Sequence, residues 1–280
     1  MHTNGLTHRL KWALDAAAVP VYRATGRPFS PGYETAKLRT IQSAIDNGVA
    51  RGEENLPAGY GIAMDERVVE YPWLFARLKP AVGKMLDAGS TFNHDYLLQR
   101  PPLKGADLTI MTLAPEKRCY WYQGFSYVFG DLRQTMFADR TFDTIASIST
   151  IEHIGLDNTM LYTGNPADAE KDEGGFAPAV KEFKRILKPG GSCFISFPFG
   201  RRANLGWYQV FDRAMVDKVV ETFAPQSHRV DYFGYSSAGW QRAAPETLKD
   251  ATVYDVHTGQ GWGKDRAASS RAIACLELIA

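Results

Sequence analysis

From residue 81 onward the sequence alternates short apolar runs with stretches of helical periodicity, and no other feature constrains the fold as much. The runs occupy residues 84–88, 108–113, 127–129, 141–149, 193–199, 229–235 and 272–279. The run from Cys193 to Phe199 is almost uninterrupted apolar sequence, which predicts a strand buried on both faces. A helix predicted over 176–188 turns Val180, Phe183, Ile186 and Leu187 toward a sheet and leaves Lys181, Lys184, Arg185 and Lys188 in water. Pro189-Gly190-Gly191 is expected to stop it, and a second helix is predicted over 211–223. The fold class is therefore α/β, with seven strands and helices on both faces of the sheet.

Residues 1–80 read differently. Turn-forming clusters at 26–32 and 55–61 separate short helical stretches, so this part is expected to be a mostly helical extension or cap ahead of an 81–280 domain. Leu6, Leu10, Ala13, Leu14 and Ala17 fall on one helical face, interrupted by Lys11 and Asp15. That pattern predicts a short amphipathic helix rather than a signal peptide. No run approaches the roughly 20 apolar residues of a membrane span, so a soluble protein with no membrane partner is expected. Lys plus Arg number 32 against 31 for Asp plus Glu, so net charge gives no argument for a nucleic-acid partner. Cys119, Cys193 and Cys275 show no Cys-x-x-Cys spacing, which supports neither a disulfide framework nor a thiolate metal cage and suggests a reducing, cytoplasmic compartment.

Ligands of open parallel sheets bind beyond the carboxyl ends of the strands. The segments there are Asp87 to Ser90, Thr112 to Glu116, Gly130-Asp131-Leu132, Ser149 to His153 and Pro198-Phe199-Gly200. Met85-Leu86-Asp87-Ala88-Gly89, Gly130-Asp131-Leu132, Phe142-Asp143-Thr144-Ile145 leading to Ile151-Glu152-His153-Ile154, and Leu187-Lys188-Pro189-Gly190-Gly191 follow one another in order. Together they resemble the class I S-adenosylmethionine-dependent methyltransferase family over roughly residues 81–280. The resemblance implies a Rossmann-like sheet whose last strand runs antiparallel, and S-adenosyl-L-methionine as cofactor.

By that resemblance Asp87 and Gly89 lie at the methionine end of the cofactor, with Ser90, Asn93 and Ser149 nearby. The sequence departs from the family's three-glycine loop, since only Gly89 remains before Ser90-Thr91-Phe92-Asn93-His94. The loss speaks against a dinucleotide, whose pyrophosphate needs close backbone approach. Asn93 can equally cap the following helix. Where the family places an acid for the ribose hydroxyls this chain has Thr112, with Glu116 the nearest carboxylate; Glu116 either reaches back or faces solvent. Asp131, followed by Leu132, resembles the residue that accepts from the adenine amino group, with an Asx turn as the alternative.

Glu152 and His153 stand where the family presents residues to the methyl acceptor, and His153 can serve as a base for a hydroxyl acceptor. They can also simply begin a helix. The acidic insertion 157–175 is either a lid or a solvated loop. Arg201, Trp207 and Tyr208, after the fifth strand, mix cationic and aromatic contacts suited to a small hydroxylated or anionic acceptor. No metal-ligand set is visible. The expected function is methylation of a small molecule, on oxygen of a sugar or another hydroxylated metabolite. A non-catalytic binding protein of the same fold is the alternative.

Overall fold

The computed structural model describes residues 5–280, with side chains from residue 12 onward. In chain order its main elements are α1 (Gly5–Thr25), α2 (Tyr33–Asp46), α3 (Arg67–Phe75), β1 (Lys84–Ala88), α4 (Asp95–Leu98), β2 (Asp107–Thr112), β3 (Ser126–Phe129) and β4 (Phe142–Ile148). There follow α5 (Phe176–Ile186), β5 (Leu187–Pro198), β6 (Ala203–Asn204), β7 (Gln209–Val210), α6 (Arg213–Phe223), β8 (Ser227–Ser236), β9 (Gly239–Arg242), α7 (Pro245–Leu248) and β10 (Ala272–Ile279). The chain forms two compact units. One takes the residues up to Arg77 with Phe233–Ala244 and Ala251–Ala272; the other takes Leu78–Tyr232, Pro245–Asp250 and Ile273–Ala280.

The main sheet has eight strands in the order β3-β2-β1-β4-β5-β10-β8-β9. Strands β1 to β5 pair in parallel, and β10 pairs antiparallel with β5 from Ile273 opposite Pro198 to Ile279 opposite Ser192. This is the mostly parallel, Rossmann-like architecture expected, with two differences. The strand count is eight rather than seven, because the four-residue β9 returns along β8 after a turn at Ser236–Gly239. Strand β5 begins at Leu187, six residues before the predicted start, while α5 ends at Ile186.

In the second unit, burial accounts for the elements. Met85 to Ala88 and Thr144 to Ile148 are all buried, and the central β1 and β4 are covered on both faces. Helix α5 buries Phe176, Ala179, Val180, Phe183 and Ile186 at three- and four-residue spacing. Asp212 starts α6, its side chain accepting from the Met215 amide at 3.0 Å. Asp143 works at the amino ends of the strands: its carboxylate accepts from the Lys84 amide at 2.9 Å and from Lys188 Nζ at 2.8 Å. It ties the starts of β1 and β5 to β4, away from the carboxyl ends where ligands bind.

In the first unit, α1 corrects a sequence expectation. The side chains of Leu6 and Leu10 lie outside the described residues, but Ala13, Leu14 and Ala17 on the same face are exposed, Leu14 at 64%. The inward face carries Val19 and Tyr22, packed with Tyr33, Ala36 and Ala268. Asp15 decides the orientation: its carboxylate accepts from the Gly32 and Thr35 amides at 2.6 and 2.9 Å and caps the start of α2. A charge that interrupts the apolar face in sequence thus faces the neighbouring helix. Glu70, Tyr71 and Trp73 are buried in this unit's core, with Glu70 paired to Arg67.

Candidate functional site

The site builds from the carboxyl ends of β1, β2 and β4 in the second unit. Gly89 follows β1 with φ +124°, and its amide donates to the Met111 carbonyl at 2.8 Å. A Cβ at Gly89 would stand 2.1 Å from Thr150 Oγ1, so the loop after β1 meets the segment after β4 with no room for a side chain. Ser90 comes next with φ +60° and Ser149 follows β4 with φ +41°, both left-handed conformations that a side chain makes costly. Two strained residues flank the place where the strand ends converge.

Asp87 is fully buried and faces its own loop. Its Oδ1 accepts from the Thr91 amide at 3.1 Å and Thr91 Oγ1 at 2.9 Å, and its Oδ2 from the Phe92 amide at 2.7 Å. Burial pushes its carboxyl up to about 7, against the pull of these hydrogen bonds. This geometry makes Asp87 the brace of the loop. Ser90 Oγ and, at the end of β2, Thr112 Oγ1 are both buried and have no hydrogen-bond partner. Buried hydroxyls without partners are costly, and their cost is removed when a ligand completes them.

Asn93 and Glu116 are brought together. Asn93 Nδ2 donates to Glu116 Oε2 at 2.8 Å and to the Arg118 carbonyl at 2.9 Å, while Tyr127 Oη donates to Asn93 Oδ1 at 2.8 Å. Glu116 therefore reaches back toward the β1 loop. Of the aromatic residues just before Tyr127, Trp121 and Tyr122 are exposed and Phe125 is buried.

Asp131 carries a partner the sequence reading missed. Arg133 donates to it from its amide, Nε and Nη2 at 2.7 to 3.1 Å, and also from Nη1 and Nη2 to Glu170 at 2.8 and 2.6 Å. Burial works to raise the Asp131 carboxyl, but the Arg133 hydrogen bonds prevail and hold it below its ordinary range. The only cue was local, an Asp-x-Arg spacing in one loop. Leu132 beside it is buried.

Beyond the end of β4, Ile151–His153 form a single 3-10 turn. Glu152 is buried, and His153 is a quarter exposed, with Nε2 3.9 Å from Glu152 Oε1. His153 Nδ1 is 3.0 Å from the Trp207 carbonyl. A carbonyl has no proton to give, so Nδ1 is the donor. The imidazole lies 5.0 Å from the Trp207 ring and 5.8 Å from the Tyr208 ring, and those two rings meet edge to face at 4.6 Å. His153, Trp207 and Tyr208 thus form one cluster. Arg201 is not part of it; exposed, it faces Asp250 at 3.7 Å. Among the described residues no group of three or more His, Cys, Asp or Glu is placed to hold a metal ion, and no helix is long and apolar enough to cross a membrane.

Residues 86–195 match the family model of a methyltransferase domain. No curated protein matches the sequence significantly. Among solved structures, the chain is similar to a 1,6-didemethyltoxoflavin-N1-methyltransferase of Burkholderia thailandensis, solved with bound 1,6-didemethyltoxoflavin and S-adenosylhomocysteine, at 12% identity and a TM-score of 0.40 over 69% of this chain and 70% of that one. It is likewise similar to the N-methyltransferase NodS of Bradyrhizobium japonicum, at 14% identity and a TM-score of 0.42 over 71% and 86% of the two chains.

Proposed function

We propose, from the premise that residues 86–195 make this chain a class I S-adenosylmethionine-dependent methyltransferase, that it methylates a small hydroxylated acceptor on oxygen, with a sugar or similar polyol as the acceptor class. The observation that carries the cofactor half is the pair of buried, partnerless hydroxyls of Ser90 and Thr112 beside a glycine at which no Cβ fits. A loop so shaped fits a ligand that approaches backbone closely and completes two hydroxyls. Ser90, Ser149 and the Gly89 backbone would hold the methionine end, Thr112 and the Asn93–Glu116 pair the ribose, and Asp131 with Leu132 the adenine. When bound, S-adenosylmethionine supplies a methyl group on a positively charged sulfur.

The chain's own residues supply alignment and a base. With its Nδ1 hydrogen committed to the Trp207 carbonyl, neutral His153 keeps the lone pair on Nε2, where it takes the proton of an acceptor hydroxyl. Glu152 Oε1, 3.9 Å away, stabilises the imidazolium that results. The half-buried Trp207 ring beside the imidazole offers a face of the kind on which sugar rings stack, with the buried Tyr208 ring packed against it. The reading includes a reducing, cytoplasmic location, supported by three free cysteines, and an N-terminal helical extension as a division of labour separate from the catalytic domain.

Calorimetric titration with S-adenosylmethionine tests the premise, and no binding at millimolar ligand would leave the fold as a binding protein of another kind. Transfer of labelled methyl to matched panels of sugars, polyols and amines tests the acceptor class. Label on oxygen is expected, with His153→Asn losing transfer while still binding S-adenosylhomocysteine. Label recovered on nitrogen alone would overturn the hydroxyl reading.

A further inference from the structure

The acidic insertion between the His153 turn and α5 meets the β6–β7 hairpin through the Asp157 amide and through Glu173. Glu173 Oε2 accepts from Arg202 Nη2 at 2.9 Å, its Oε1 accepts from Asn204 Nδ2 at 2.9 Å, and its backbone carbonyl accepts from Gln209 Nε2 at 3.0 Å. These three donors lie at both ends of the β6–β7 hairpin, whose strands pair Ala203 with Val210 and Asn204 with Gln209. Asn204 passes the constraint inward, its Oδ1 accepting from the Gly206 amide at 2.7 Å. The Gly206 carbonyl in turn accepts from the Asp157 amide at 3.0 Å. Between Gly206 and Gln209 stand Trp207 and Tyr208, and the Trp207 carbonyl is the group that holds His153 Nδ1.

The hydrogen bonds from Asn204 and Arg202 hold the Glu173 carboxyl below its ordinary range, so it is an anion across the neutral pH range. Arg202 and Asn204 hold the carboxylate from the β6 side and Gln209 holds the backbone carbonyl of the same residue from β7, so Glu173 grips both strands of the hairpin. Register matters here in a specific way. A shift of one residue would withdraw the Trp207 carbonyl from His153, and the imidazole would be free to carry its hydrogen on Nε2 instead. A base protonated on the nitrogen that faces the acceptor cannot accept a proton.

The geometry points to Glu173 as a positioning residue that, through the β6–β7 hairpin, sets which nitrogen of His153 carries the hydrogen. The inference rests on reading His153 as the base, and its test is chosen to stand apart from that reading. The full chain, labelled with 15N, is examined by long-range proton–nitrogen correlation of its imidazoles at pH 8, with the His153 signals identified by their loss in His153→Asn. The wild-type chain shows the Nδ1–H form. Glu173→Ala loses it as the major form, and Glu173→Gln, whose amide oxygen still accepts from Asn204, retains it. Asn204 is exposed, so Asn204→Ala provides a second variant should Glu173→Ala not fold, and it shifts the tautomer in the same direction. An unchanged Nδ1–H form in both Glu173→Ala and Asn204→Ala overturns the proposal. Methyl transfer surviving in His153→Asn overturns the base reading instead, and leaves the tautomer result standing.

Discussion

Replacing Gly89 by alanine tests whether the loop after β1 is built around a missing side chain. The new Cβ would lie 2.1 Å from Thr150 Oγ1, 2.5 Å from its Cγ2 and 2.7 Å from its Cβ, at a backbone φ of +124°. Two costs add. Holding a residue with a Cβ at such a φ costs about 1–3 kcal/mol, and overpacking against Thr150 costs about 1–3 kcal/mol more. The loop can move aside only by breaking the bond from the Gly89 amide to the Met111 carbonyl. A loss of about 4 kcal/mol is therefore expected in urea unfolding followed by tryptophan fluorescence, with weaker binding of S-adenosylhomocysteine in the fraction that folds. A double-mutant cycle with Thr150→Gly separates the two costs, because that change removes the overlap and leaves the backbone strain. The double variant should recover about 1–3 kcal/mol of the loss. Stability within about 0.5 kcal/mol of wild type for Gly89→Ala, or no recovery in the cycle, would refute the argument that these two segments meet here.

Two further perturbations address other contacts. Arg133→Met unties Glu170 from Asp131, and Lys171 is the next residue in the chain, so trypsin reports the change directly. For a partly exposed ion-pair network worth about 1 kcal/mol, cleavage after Lys171 should accelerate about fivefold; an unchanged rate would mean the insertion is not held at this end in solution. In the first unit, burial and then the charges of Asp65 and Glu70 push the Glu66 carboxyl up to about 7, from an ordinary value near 4.5. Because the folded value lies above the unfolded one, the folded state binds the extra proton, so this contribution is fully present below about pH 4.5 and is lost as pH rises through about 7, by about 3 kcal/mol at most. Asp87 contributes a slope of the same sign. Urea unfolding of Glu66→Gln should keep only the Asp87 part of that slope, and a pH dependence identical to wild type would show that Glu66 does not titrate there.

The strand ends were legible in the sequence because the central strands are apolar without interruption. The expected first, third and last runs, at 84–88, 127–129 and 272–279, differ from β1, β3 and β10 by at most one residue at either end. The fifth strand shows where that legibility stops. Pro189-Gly190-Gly191 reads locally as the stop after a helix, yet these residues belong to β5, because the Gly190 amide donates to the Ala280 carbonyl and the Ala280 amide to the Gly191 carbonyl, each at 2.9 Å. A partner nearly ninety residues away supplies what local propensity withholds, and no local pattern announces it. The same holds for Thr150 and Glu173, whose roles come from what they meet across the fold.

The departure from three glycines in the β1 loop has a physical answer in the residues that replaced them. A tight turn after a strand needs left-handed backbone, and here Ser90 takes φ +60° with a side chain in place, at a cost of about 1–2 kcal/mol. Asp87 offsets it: three hydrogen bonds from Thr91 and Phe92 clamp the next turn, at about 1 kcal/mol net each. Glycine survives only at position 89, where Thr150 leaves no space for a Cβ at all. The residues on either side of it are free to be polar, and Ser90 uses that freedom to aim a buried hydroxyl that nothing in the chain completes. The loop thus keeps its shape by a buried carboxylate where glycines would have kept it by flexibility. On the proposed reading its binding chemistry would move accordingly from bare backbone toward side-chain hydroxyls, so that the glycine pattern falls short without leaving the loop unshaped.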